Sequence, residues 1–121
     1  QEPNLEHRSE QALEYANKAL DTARDAYQAG DLEKTQTALA DVGASVDLAF
    51  ESLEDTGKDA RRSPKFFKRA ELSTRELLRR LESLSDSMSF QDRPIVEQLR
   101  TRVSEVHDDL LRGIMGRKKK K

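Results

Sequence analysis

The chain has 121 residues, about the length of one domain. Charged residues make up 37% and hydrophobic residues 35%. No apolar run approaches the ~20 residues of a membrane-spanning helix, and the lack of cysteine excludes disulfides and thiolate metal sites. The net charge of −1 hides a division. The first sixty residues carry five Lys and Arg against fourteen Asp and Glu and the last sixty-one carry seventeen against nine, so a −9 half is joined to a +8 half. Charge sorted in this way bears on partners and assembly rather than on fold.

The sequence begins Gln1-Glu2-Pro3 without an initiator Met, which favours a mature exported or periplasmic chain, with a cytoplasmic one as the alternative. Apolar residues at 3-4 spacing then predict four amphipathic helices. The first, over 5–29, has Leu13, Ala16, Leu20, Ala23 and Tyr27, with a seven-residue row of Leu5, Ala12, Ala19 and Ala26 beside it. Small residues along such a seam let a neighbouring helix come close. Ala29-Gly30-Asp31 supplies a glycine for a left-handed turn and a cap for the next helix.

The second helix, over 32–56, reads Leu32, Thr35, Leu39, Val42, Val46, Ala49 and Leu53, with Phe50 on its flank, and Gly57 ends it. Gly43 in its interior costs about 1 kcal/mol against alanine, and so implies a close helix contact beside the alanine-rich face of the first helix, or a bend. Ser63-Pro64 then offers an N-cap followed by proline at the first helical position. The third helix, over 64–89, reads Phe67, Ala70, Thr74, Leu77, Leu81, Leu84 and Met88, widened by Phe66 and Leu78. After an interruption from Ser89 to Pro94, with Asp92 as a cap, the fourth helix runs over 93–115 with Val96, Leu99, Val103, Val106 and Leu110. Thr35 and Thr74 are expected to hydrogen-bond their own helix backbone.

Four helices of matched length joined by short connections predict an all-α, up-down-up-down antiparallel four-helix bundle over residues 1–116, followed by a basic flexible tail at 117–121. The alternative is two long helical hairpins assembled as a dimer. Locally, Tyr27-Gln28-Ala29-Gly30-Asp31-Leu32-Glu33-Lys34, with Ala38-Leu39 following, resembles the inter-helix turn of a tetratricopeptide repeat. The likeness covers about a dozen residues, and the 34-residue period of that family does not recur, so it implies shared turn chemistry and no peptide-binding function.

No nucleophile–base pair or convergent ligand set stands out, and the chain is read as a non-enzyme without metal or cofactor. His7 and His107, near Glu6, Glu10, Asp108 and Asp109, are the one conceivable metal constellation. Neither has the Glu-x-x-His spacing of bundle metal sites, and both are expected at the surface. The basic residues are more informative. Arg61, Arg62, Lys65, Lys68 and Arg69 surround the start of the third helix, where the helix dipole already favours anions. Arg117, Lys118, Lys119, Lys120 and Lys121 form the tail.

In the predicted bundle the second connection and the tail share one pole, where these ten residues are partly offset by Glu2, Glu6, Glu54, Asp55 and Asp59. The expectation is an interaction or structural module that docks a macromolecular partner through this basic pole. The partner is a protein or a second copy of the chain. The alternative is nonspecific binding of nucleic acid or anionic membrane through the tail.

Overall fold

The computed structural model describes residues 4–116, and residues 117–121 with the tail reading lie outside them. Four α-helices follow one another: α1 (Leu5–Gln28), α2 (Leu32–Glu54), α3 (Pro64–Ser87) and α4 (Arg93–Met115), with a short 3₁₀ turn at Phe90–Asp92 before α4. The first three end one or two residues earlier than the apolar stripes predict, because the chain turns at Ala29, Asp55 and Met88. Met88 takes an extended conformation yet remains buried in the core.

Local chemistry accounts for the ends. Asn4 and Asp31 cap α1 and α2, their carboxamide and carboxylate oxygens accepting from the backbone N–H of His7 at 2.9 Å and of Lys34 at 3.0 Å. Gly30 adopts φ +80°, the left-handed turn that glycine makes at least cost. Pro64 opens α3 as expected, but the Ser63 hydroxyl makes no capping bond.

The helices alternate in direction, and each hairpin, α1 with α2 and α3 with α4, is antiparallel. The two hairpins dock within the one chain. Around the bundle the helices stand in the order α1, α2, α4, α3, so that α1 lies beside α3, α2 beside α4, and α1 and α4 occupy opposite corners. Neighbours from different hairpins are therefore parallel. Connection length explains the arrangement. Three residues join α1 to α2, whereas residues 55–63 must cross the bundle diagonal from α2 to α3. Helix axes ~8–10 Å apart give a diagonal of roughly 13 Å, well within the reach of nine residues. Ala60, midway along this connection, is buried beneath it.

The alanine seam of α1 has the predicted consequence. Ala12, Ala16, Ala19, Ala23 and Ala26 are all buried, and the backbones of α1 and α2 approach closely enough for the Ser9 hydroxyl to donate to the Ala49 carbonyl at 2.9 Å. The core divides into two stretches. An apical cluster contains Leu20, Leu39, Val42, Leu77, Leu81, Val96 and Val103, and a basal one contains Leu13, Leu53, Phe67 and Leu110. Thr35 and Thr74, fully enclosed, donate to Asp31 and Ala70 carbonyls at 2.8 and 2.9 Å, as expected of threonine in a helix. Gly43 serves a close contact with α4 rather than α1: a β-carbon there would stand 3.1 Å from the Leu99 methyl. No helix among the described residues is long and apolar enough to cross a membrane.

Candidate functional site

The basal pole gathers the start of α1, the end of α2, the second connection, the start of α3 and the end of α4. Gly113 and Gly116 lie against Ala60 and Arg61, which brings the last turn of α4 to the second connection. The juxtaposition predicted from helix direction is therefore present up to residue 116. Within it the five cations of the connection and of α3 have unequal surroundings.

Arg69 reaches across to α1 and donates to the Glu10 carboxylate, and its guanidinium carbon sits 5.3 Å from the centre of the Phe66 ring. Lys65 covers the same ring at 5.3 Å, giving a half-buried aromatic flanked by two cations. Arg61 is held over its own turn by Asp59, whose carboxylate accepts from the Arg61 backbone N–H at 2.9 Å. Arg62 and Lys68 are exposed and have no ion-pair partner among the described residues. Lys58, which the sequence reading does not include, donates to Glu6 at 3.1 Å. Glu10, which stands a full turn inside α1, likewise lies outside the predicted set of offsetting carboxylates.

The two histidines are apart. His7 is exposed on α1, and His107 on α4 faces α3, while α1 and α4 are at opposite corners. Among the described residues, no group of three or more His, Asp or Glu side chains is arranged to hold a metal ion. His107 instead meets Glu71, a residue that sequence reasoning missed. Glu71 is 6% exposed, and its carboxylate accepts from His107 Nε2 at 2.8 Å and from Arg75 Nε and Nη2 at 2.9 Å each. Burial pushes its pKa up, but the hydrogen bonds from His107 and Arg75 and their charge outweigh this, and the carboxyl is held below its ordinary value. The signal that could have found it is position: Glu71 follows Phe67 by one turn, on the flank of the α3 stripe.

The apical pole holds a second missed cluster. Tyr27 Oη donates to Asp92 Oδ2 at 2.8 Å and accepts from the Ser89 backbone N–H at 3.0 Å, and the Ser89 hydroxyl donates to the same Asp92 oxygen at 2.9 Å. Asp92 precedes α4 as expected, but its carboxylate makes no capping bond and ties the α3–α4 connection to α1 instead.

The surface grooves are shallow. One of them, about 550 Å³ between α3 and α4, is lined by Leu78, Arg79, Glu82, Glu97, Arg100 and Glu105. Ligand pockets are mainly apolar with a few convergent polar groups, and this trough of opposed charges is the reverse. No protein-family model, curated protein or solved structure matches the chain.

Proposed function

We propose that this bundle is a noncatalytic interaction module that docks an acidic macromolecular partner, a protein, through its basal pole. Arg61, Arg62, Lys65, Lys68 and Arg69 are the contact residues, and Arg117 to Lys121 extend the basic set. The observation that carries the proposal is the uneven pairing of charge. Lys58 and Arg69 are satisfied by Glu6 and Glu10, whereas Arg62 and Lys68 remain exposed and unmatched beside them. Unpaired cations at the rim of a rigid helix end retain their attraction for an external anionic surface and raise the encounter rate with it.

Two features support a protein over nucleic acid or a flat anionic membrane. The cations are interleaved with Glu6, Glu10 and Asp59, which would repel a continuous sheet of phosphates. The one aromatic among them that is not buried, Phe66, is half-buried and already has Lys65 and Arg69 over its ring, so the row of open stacking platforms that single-stranded nucleic acid uses is not found among the described residues.

Capture from a native extract tests the proposal. The intact chain should retain a partner that is released between about 50 and 300 mM salt, where screening sets in. A chain neutralised at Arg61, Arg62, Lys65, Lys68 and Arg69 should retain none. Retention indifferent to both salt and neutralisation would refute it.

A further inference from the structure

The charge of α2 and α3 is arranged along their outer edges as well as at the pole. On α3, Lys65, Lys68, Leu72, Arg75 and Arg79 follow one another at intervals of three and four residues, forming one outward ridge about 21 Å long at 1.5 Å per residue. Leu72 in its middle is 55% exposed. On α2, Asp41, Ala44, Leu48, Glu51 and Asp55 have the same intervals, and Leu48 in the middle is 38% exposed. Lys34 is the only basic residue of α2. The two ridges are thus matched in length and phase, opposite in charge, and each is centred on an exposed leucine.

From this complementarity we propose that the protein self-assembles head to tail, with the acidic outer ridge of α2 in one copy seated on the cationic outer ridge of α3 in the next. The inference rests on the partner-binding reading above and names the partner as a second copy of the chain.

Pairing within the chain sets the direction of the contact. Arg75 and Arg79 are already engaged by Glu71 and Glu76, while Lys65, Lys68, Glu51 and Asp55 make no ion pair among the described residues. An antiparallel register places Leu48 against Leu72, Glu51 against Lys68 and Asp55 against Lys65, so that unpaired charge meets unpaired charge. A parallel register would set Glu51 and Asp55 against the two arginines whose charge is already compensated.

The fold also determines the symmetry. α2 and α3 stand at opposite corners of the bundle, so one copy cannot offer both ridges to the same neighbour. A closed two-fold dimer is excluded for this contact, and the assembly continues as a row or closes as a ring. A single helix-on-helix ridge is a small interface, which places the association in the weak, concentration-dependent class.

Sedimentation equilibrium over a concentration series at low salt tests this. The wild-type mass should rise above the 13.8 kDa of one chain and continue past two copies, and should fall back as salt rises to about 300 mM. The K65E/K68E variant, whose two ridges are both acidic there, should stay monomeric, as should E51K/D55K, whose two ridges are both basic. An equimolar mixture of the two variants restores opposite charge at every contact and should assemble as the wild type does, which also shows that both are folded.

Wild type that remains at 13.8 kDa, a mass that saturates at two copies, or a mixture that stays monomeric overturns the proposal. Wild type that is monomeric but retains a salt-sensitive partner from extract through its basal cations overturns self-assembly alone and leaves the partner-binding reading in place.

Discussion

The two ends of this bundle are closed by different chemistry. At the apical end a phenol, a carboxylate and a serine interlock across the α1 and α3–α4 turns, partly shielded from water and short in reach. At the basal end exposed lysine and arginine side chains stretch to glutamates on α1, leaving other cations unmatched. Hydrogen bonds of the first kind lose little to salt, whereas exposed ion pairs contribute little and are screened. A pole held by its backbone turns and a buried core, with its surface charge only partly used, is free to offer that charge to something else.

The largest expected effects ask whether the difference reaches into the core. Leu81→Ala in the apical cluster and Leu53→Ala in the basal one each remove a fully enclosed side chain. Each should destabilise by about 2–5 kcal/mol in chemical denaturation. Comparable losses would confine the contrast to the surface. A Leu53→Ala loss far below that range, with a shallower denaturation slope, would mean that the basal half frays on its own.

Tyr27→Phe isolates the apical closure. It deletes the donation to Asp92 and the acceptor for the Ser89 N–H while keeping the ring packed against the core. The expected cost is about 1–2 kcal/mol, since a typical hydrogen bond is worth about 1 kcal/mol and one to a charged group somewhat more. The cost should persist between low and moderate salt. A loss that vanished on adding salt would remove the distinction between the two ends.

What the sequence disclosed follows from what periodicity can encode. Stripes at 3-4 spacing reveal which face of each helix is buried, and Gly30, Asp31 and Pro64 mark where the chain must turn. Helix number, direction and the shared basal pole were therefore legible. A stripe does not say which neighbour covers it. The α1-α3 and α2-α4 adjacency, and with it the opposition of the α2 and α3 ridges, depends on how the second connection crosses the bundle.

The candidate site was legible as a cluster but not as a pattern of pairing. Glu10 lies far from Arg69 in sequence and meets it only because parallel α1 and α3 place the two at the same height. Periodicity marks Tyr27 as a core residue, which it partly is, and Asp92 as a cap, but Asp92 holds only the position before α4 and makes no capping bond. Their bond to each other required the two apical turns to be brought together. Within the dozen residues that resemble a tetratricopeptide turn, Gly30 makes the left-handed turn and Asp31 caps α2, both of which local chemistry alone made legible.

Glu71 tests the middle of the molecule, between the two ends. Its folded pKa lies below the ordinary value of 4.5, because the bonds from His107 and Arg75 outweigh burial. A carboxyl depressed on folding binds protons less readily in the native state than in the unfolded one. Its contribution is therefore fully present above about pH 4.5 and is lost as pH falls through the depressed folded value. Glu71→Gln should lower stability at neutral pH and flatten the acid limb of a stability–pH profile. An acid limb as steep as that of the wild type would show that Glu71 is not among the groups responsible.

The smallest expected effects belong to the basal ion pairs. Lys58 is 49% exposed and Arg69 52%, so their bonds to Glu6 and Glu10 face solvent on at least one side. Lys58→Ala and Arg69→Ala should each cost less than about 1 kcal/mol at low salt. The Lys58 difference should disappear as the screening length falls below 10 Å beyond about 0.1 M salt. Arg69→Ala should keep a residue of its cost, because the guanidinium also covers the Phe66 ring and that contact is less sensitive to salt. The two substitutions thus separate charge from cover at the same pole. A salt-resistant cost at Lys58 would mean that the basal carboxylates hold the fold together, and the surplus cations of α3 would then be the remainder of a structural network rather than a surface kept open for a partner.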